Sequence, residues 1–215
     1  MDFDLLSMKL RAKDLMKSTV PSPRIVGLVQ GGITFGFVMG VYFISFRNMD
    51  TYRGFLYLAI LELLYLNFRA SSPWYCLKVS REEKTAVSDA FAAFKKKALK
   101  VFMVGLLKDI CILIGMCLLL VGFIFPFYWF RFATYVVNDY DEISVFGAFG
   151  KSRELLKGHY MELLKIDMSN LGWFALAYFT SGLACFYVKP YTTLLYAEYY
   201  DYLKGQAELF GAGTE

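Results

Sequence analysis

The chain has 215 residues, enough for one domain of ordinary size, and 57% of them are hydrophobic, 19% aromatic and 20% charged, with a mean hydropathy of +0.43. Soluble domains hold nearer ~45–50% apolar and ~25% charged residues, so a disordered chain and a disulfide-stapled secreted module are excluded, and a net charge of +4 is too thin for a nucleic-acid-binding surface. The apolar excess is gathered into blocks that one water-facing core could not hide, which predicts an all-α, polytopic membrane protein with a single integral membrane domain over 1–215.

The opening Met1-Asp2-Phe3-Asp4 is acidic where a cleavable export signal is basic, so the first span is expected to stay as an anchor. An amphipathic stretch carrying Lys13-Asp14-Leu15-Met16-Lys17 leads into Ile25–Phe46, which is uncharged for 22 residues. As a helix it extends about 33 Å against about 30 Å of hydrocarbon. Within it Gly27 and Gly31, then Gly32, Gly36 and Gly40, form two adjoining stripes where backbones can approach closely. The stripes suit packing against the chain's own spans or, alternatively, a homo-oligomer or a partner membrane protein. Gly54–Phe68 is only about 22 Å long, with Glu62 inside it, and reads as a short or tilted return leg.

A second amphipathic stretch has Val87, Phe91, Phe94, Ala98 and Val101 at helical spacing, with Lys95-Lys96-Lys97 and Lys100 opposite. It precedes a third apolar block that runs from Val101 to Phe125-Pro126. Proline ends or kinks a helix, so Phe127–Val137, with Arg131 in its middle, is expected to return. A third amphipathic stretch (Phe149, Leu156, Tyr160, Leu163) carries Arg153-Glu154-Leu155-Leu156-Lys157. Leu171–Val188 then ascends, Lys189-Pro190-Tyr191 turns, and Thr192–Leu203 returns as an amphipathic leg containing Glu198. About six membrane segments result, in three hairpin-like repeats over 1–69, 82–137 and 143–204, each preceded by a cytoplasmic interfacial helix; four segments is the alternative. Asp109 and Asp167 stand at equivalent places near the starts of the second and third ascending spans.

On this threading 18 of the 23 lysines and arginines fall on one side. Under the positive-inside rule that side is cytoplasmic, with both termini there and the basic faces against anionic lipid headgroups.

The run Tyr128-Trp129-Phe130-Arg131-Phe132-Ala133-Thr134-Tyr135, then Asn138-Asp139-Tyr140-Asp141, Ser152 through Arg153, Glu154, Lys157 and Gly158 to His159, with Leu171-Gly172-Trp173 and Lys189-Pro190-Tyr191, resembles the bacterial membrane family catalogued as domain of unknown function 975. The likeness is strongest over residues 85–204. It implies a multi-pass bacterial plasma-membrane protein without an assigned reaction. Phe125-Pro126-Phe127 departs from the family, which tends to carry Pro-Gly at that corner.

Chemistry is sparse. H-E-x-x-H, P-loop and G-x-S-x-G patterns are absent, and a lone His159 leaves no two-histidine metal site, so no catalytic residue, metal or cofactor is expected. His159 follows Gly158, a natural helix C-cap, and reads as a helix-end residue at the interface, with pH sensing as the alternative. Cys76, Cys111, Cys117 and Cys185 lack paired spacing and read as reduced core residues. Trp74, Trp129, Trp173 and the 16 tyrosines, including Tyr196, Tyr199, Tyr200 and Tyr202, fit an interfacial aromatic belt.

The ionisable residues Glu62, Arg131, Asp109, Asp167 and Glu198 are the sharpest candidates, because a charge at the bilayer centre costs roughly 2.5–3.5 kcal/mol or more. Asp109, Asp167 and Glu198 also suit helix caps or headgroup contacts. Glu62 is deeper, with Arg131 as its expected partner, and Glu62→Gln is expected to disturb assembly or phenotype more than Asp109→Asn does. Two functions remain open: a non-enzymatic scaffold or accessory subunit serving envelope homeostasis or protection, and a small transporter or peptide-handling protein using Glu62, Arg131 and Asp167.

Overall fold

A computed structural model describes residues 3–48, 57, 72–86, 88–89, 98–117, 128–140, 142–180 and 184–211, and among them the chain is helix, turn and coil without a strand. The all-α expectation is met. In chain order the helices are α1 (Leu5–Ser18), α2 (Pro23–Asn48), α3 (72–80), α4 (Ala98–Cys117), α5 (Ala133–Asp139), α6 (Val145–Leu156), α7 (Tyr160–Phe179) and α8 (Cys185–Gly211). The blocks 54–68 and 118–127 lie outside the described residues except Tyr57, as do Glu62 and Lys95-Lys96-Lys97.

Short polar side chains set the helix starts. Asp4 caps α1 by accepting the Leu6 N–H at 3.0 Å, and Ser144 caps α6 by accepting the Gly147 N–H at 3.0 Å. α6 stops at Leu156 because Gly158 takes φ +91°, a left-handed conformation that suits glycine and is strained for other residues. The amphipathic pattern over Phe149–Leu163 therefore divides into two helices. The ascending helix α7 starts at Tyr160, earlier than the apolar run at Leu171 suggests.

The turn expected at Lys189-Pro190-Tyr191 is corrected: α8 runs straight through Pro190, and the chain reverses between Phe179 and Cys185. Pro190 has no N–H for the carbonyl of Phe186 one turn earlier. That carbonyl faces Gly27 of α2, where an added Cβ would stand 3.1 Å from it and 2.6 Å from the Pro190 ring. Thr192 and Thr193 donate their hydroxyls to the carbonyls of Val188 and Lys189, at 2.9 and 2.8 Å, in the same stretch. These hydroxyls add bonds to the turn that follows Pro190, and Gly27, lacking a side chain, lets α2 lie close over the break.

α8 is the centre of the molecule. It packs against α1, α2, α6 and α7, while α4 joins α5 and α6 on one side. Tyr191, Leu194, Leu195, Ala197, Tyr199, Tyr200 and Leu203 are fully buried, so residues 191–203 are wrapped by protein on every face. The interfacial-belt expectation is corrected for Tyr199 and Tyr200, which are buried in the core, both tilted against Phe132 and Tyr200 stacked on Tyr135. The segment expected to return at Phe127–Val137 forms a turn at 130–132 and then α5, whose Ala133, Tyr135, Val136 and Val137 are buried by neighbouring helices. Cys76 and Cys111 are free thiols; burial pushes the Cys76 thiol up to about 12.

Several helices leave large apolar side chains uncovered. Among the described residues only α2 is long and apolar enough to cross a membrane, over Pro23–Phe43. Its Leu28, Phe35 and Phe43 are exposed, as are Met103 and Ile110 on α4 and Leu171, Phe174 and Phe179 on α7. These side chains make one helix face after another apolar and exposed among the described residues.

Candidate functional site

Charged side chains converge on the buried helix α8 in four groups. In the first, Arg131 in the turn before α5 meets Asp167 on α7 through two parallel bonds, Nη1–Oδ2 at 3.2 Å and Nη2–Oδ1 at 3.0 Å. Tyr196 of α8 donates its hydroxyl to Asp167 Oδ1 at 2.6 Å, and its ring lies 4.2 Å beneath the Arg131 guanidinium. Fork-on-carboxylate geometry with an aromatic floor holds both charges in a fixed place. The side chains are 15% and 17% exposed, so the pair is largely withdrawn from surroundings of any kind.

The second group ties α3, α5 and α8 together. Arg81, just past α3, bonds Asp139 at 2.6 Å and Asp201 at 2.8 and 3.0 Å, while Lys204 reaches Asp139 at 2.9 Å. Ser80 donates to Asp201 at 2.7 Å and Tyr200 to Asp139 at 3.1 Å. Burial disfavours the charge on Asp139, but hydrogen bonds from Arg81 and Lys204 outweigh it and hold the carboxyl below its ordinary range. Burial, and then the Asp139 charge, push the Tyr200 phenol up.

Arg11 on α1 builds the third group, with Glu198 Oε2 and Glu82 Oε1 each at 3.4 Å and the Ser80 carbonyl at 3.2 Å. Glu198 is only 7% exposed, and its Oε1 has no hydrogen-bond partner. Burial pushes its carboxyl up to about 7; Arg11 pulls the other way, and Asp201 and Glu82 add to the rise. In the fourth group His159 Nδ1 lies 3.0 Å from Glu162 Oε2, and Tyr199 donates to that same oxygen and to the His159 carbonyl, each at 3.1 Å. His159 is thus a helix-end residue, as Gly158 foretells.

An open groove of about 660 Å³ lies between α1 and the 82–85 connection, lined by charged side chains, Arg11, Asp14, Glu82 and Lys84 among them, and by the apolar Leu15, Val20 and Val79. The Arg131–Asp167 pair is not part of its lining. No cluster of three His, Cys, Asp or Glu side chains suited to a metal occurs among the described residues.

Of the sequence candidates, the structure joins Arg131 to Asp167, places Glu198 beside Arg11, and leaves Asp109 partly buried on α4. The expected Glu62–Arg131 pairing involves a residue outside the described set; among the described residues Arg131 pairs with Asp167. Gly27 and Gly31 of the glycine stripes lie against Pro190 and the Phe186 ring of α8, whereas Gly32 and Gly36 face open space. Gly40 lies on the same helix α2. Arg153 stacks its guanidinium 4.4 Å over Trp129, Glu154 pairs with Lys151 at 3.3 Å, Lys157 caps α6, and Trp173 packs on Tyr187 and Tyr191.

Sequence reasoning missed Arg11, Arg81, Asp139, Asp201 and Lys204. One signal was available: Glu198, Asp201 and Lys204 recur every third residue among tyrosines, a pattern suited to a helix surrounded by partners.

Residues 117–207 match the family model described as a protein of unknown function, DUF975. The matched segment holds Arg131, Asp139, Asp167, Tyr196, Glu198 and Asp201, while Arg11 and Arg81, which close the networks, lie before it. No curated protein and no solved structure matches the chain.

Proposed function

We propose, from a C-terminal segment shared with a family of unknown function, that this chain is a multi-pass protein of a bacterial plasma membrane with both termini cytoplasmic. In this role it is a non-enzymatic scaffold or accessory subunit for other membrane components, serving envelope homeostasis or protection. The observation that carries it is the pairing of bare apolar faces on α2, α4 and α7 with a tightly ion-paired, tyrosine-filled lobe around α8. In water such faces would drive aggregation; in lipid they are ordinary surface.

Of the six segments read from the sequence, Ile25–Phe46 and the apolar parts of α4 and α7 face lipid in this reading. Residues 191–203 stay inside the cytoplasmic lobe. Gly32 and Gly36, which no described residue approaches within 4 Å, are where a second copy or a partner membrane helix would approach.

Transport is the second function, favoured by the meeting of Arg131 and Asp167. Against it, each neutralises the other and Tyr196 takes a third bond, so neither is held ready for cargo. Two measurements separate these functions. Reporter fusions after residues 48 and 211 are expected outside and inside respectively, and native-membrane purification is expected to bring down a defined membrane complex. Ion or peptide flux in vesicles that falls with Asp167→Asn would replace the scaffold with a transporter.

A further inference from the structure

We propose that the outer face shared by α1 and the first half of α7 docks an acidic amphipathic helix of a partner protein, its apolar stripe on Leu6, Leu10, Met161 and Met168 and its carboxylates on Lys13 and Lys165. This rests on the membrane location proposed above and deepens the scaffold reading by naming a surface and a partner class. α1 and the start of α7 run the same way along the buried half of α8. At one end Tyr199 of α8 meets the ring of Phe3, just before α1, at 5.7 Å between centroids and donates to Glu162 of α7 at 3.1 Å. About two turns on, Lys9 of α1 donates to the Ser169 carbonyl of α7 at 3.3 Å. Each helix has one buried side, with Ala12, Leu15 and Met16 on α1 and Leu163, Ile166 and Asn170 on α7. Round its own helix, each of the six docking residues lies more than about 100° from the middle of that side. The six therefore turn to a common outer face, away from α8. Leu6, Leu10, Met161 and Met168 are each more than half exposed there, and Lys13 and Lys165 are exposed beside them.

Charge and orientation select the occupant. The nearby carboxylates are engaged elsewhere: Asp4 caps α1 by accepting the Leu6 N–H, Asp14 lines the groove towards the 82–85 connection, and Glu162 is held by His159 and Tyr199. Burial, and then the charge of Lys13, hold Lys9 below its ordinary range, so the lysines repel one another and an incoming anion is favoured. A second copy fails on that ground. Two copies in one bilayer share an orientation, so a twofold contact sets each lysine against its own equivalent at the same level. A bilayer surface fails on orientation. The face runs along the axis of α7, whose apolar second half faces lipid in the reading above, so it stands across the membrane plane beside the ion-paired lobe. A partner helix laid along the face fits both constraints. Lys165 stands one turn before the Lys9–Ser169 contact and Lys13 one turn after it, about 12 Å apart along the axis, which matches carboxylates about eight residues apart on the partner. Met161 and Met168, unbranched and adaptable, suit a stripe that arrives from outside the chain.

The test uses the full chain in phosphatidylcholine nanodiscs and two synthetic helical peptides with the same leucine stripe, one flanked by glutamates about eight residues apart and one by lysines in their place. Binding is read by fluorescence anisotropy against empty discs. The glutamate peptide is expected to bind more tightly than the lysine peptide. Leu10→Gln and Met168→Gln, both at exposed positions, are each expected to weaken it about tenfold, the worth of burying one large apolar side chain. Lys13→Gln and Lys165→Gln are each expected to weaken it about twofold to fivefold, as exposed charge pairs do. Lys84→Gln in the groove is expected to leave it unchanged. Equal binding of the two peptides, or an affinity that survives in the Leu10→Gln/Met168→Gln double variant, would overturn the docking face. A photocrosslinking residue at Leu10 is expected to attach to the glutamate peptide, and one at Phe35 to lipid. Attachment from Leu10 to lipid or to a second copy would overturn the docking face and leave the membrane location standing. A Phe35 position that reaches no lipid would instead overturn the membrane location.

Discussion

Replacing Glu198 by Gln should stabilise the protein above neutral pH and remove most of a pH dependence that the wild-type chain carries. The carboxyl is almost completely buried, holds Arg11 through one oxygen at 3.4 Å, and leaves the other unpartnered. Its value rises from 4.5 to about 7, mainly because burial penalises the charge, against the opposing pull of Arg11. Between these values the folded chain keeps the proton and the unfolded chain has lost it, so stability falls as pH rises through this window. At about 1.4 kcal/mol per decade, the ionised group costs roughly 3 kcal/mol at pH 8. A neutral amide of the same shape escapes that cost. Melts of wild type and Glu198→Gln in one detergent, at pH 5 and pH 8, should show nearly equal midpoints at the lower pH and a higher midpoint for the variant at the upper. A variant less stable than wild type at pH 8 would refute the reasoning, since it would make the Arg11 pairing worth more than the burial of the charge.

Other substitutions probe the helix contacts and networks. Gly27→Ala sets a Cβ 2.6 Å from the rigid Pro190 ring and 3.1 Å from a backbone carbonyl, so a loss of about 1–3 kcal/mol is expected in denaturant unfolding. Gly32→Ala meets nothing within 4 Å and should gain about 0.5–1 kcal/mol from helix preference; equal effects at the two sites would show that α2 does not pack on α8 as described. A double-mutant cycle on Arg131→Met and Asp167→Asn should return a coupling of roughly 1–3 kcal/mol, and additive losses would mean that the forked pair is not formed. Arg81→Lys keeps the charge but not the fork that serves Asp139 and Asp201 together. Its expected signature is faster hydrogen exchange at the C-terminal end of α3, and unchanged protection there would argue against the bridge.

Much of the candidate site was present in the sequence as residue types and absent as geometry. Arg131, Asp167 and Glu198 stand out because ionisable side chains in apolar company are costly, an argument that needs no coordinates. Their partners do not stand out: Tyr196 is 29 residues from Asp167, and Arg11 is 187 positions from Glu198. Such separations leave no periodic trace. Pro190 misleads for a related reason. A proline in an apolar run reads as a turn when only its own helix is considered, and it becomes tolerable once Gly27 of another helix covers the carbonyl it leaves free.

Composition and periodicity by themselves determined the helical class, the first apolar span and the stop at Gly158, because each depends on residues within a turn or two of one another. Only the tertiary structure decided that α8 is a buried axis rather than a lipid-facing return, that Arg131 meets Asp167, and that one of the two glycine stripes, Gly27 and Gly31, is already filled. Those outcomes depend on which helix stands beside which, and a helix records its own faces in sequence but not the identity of what covers them.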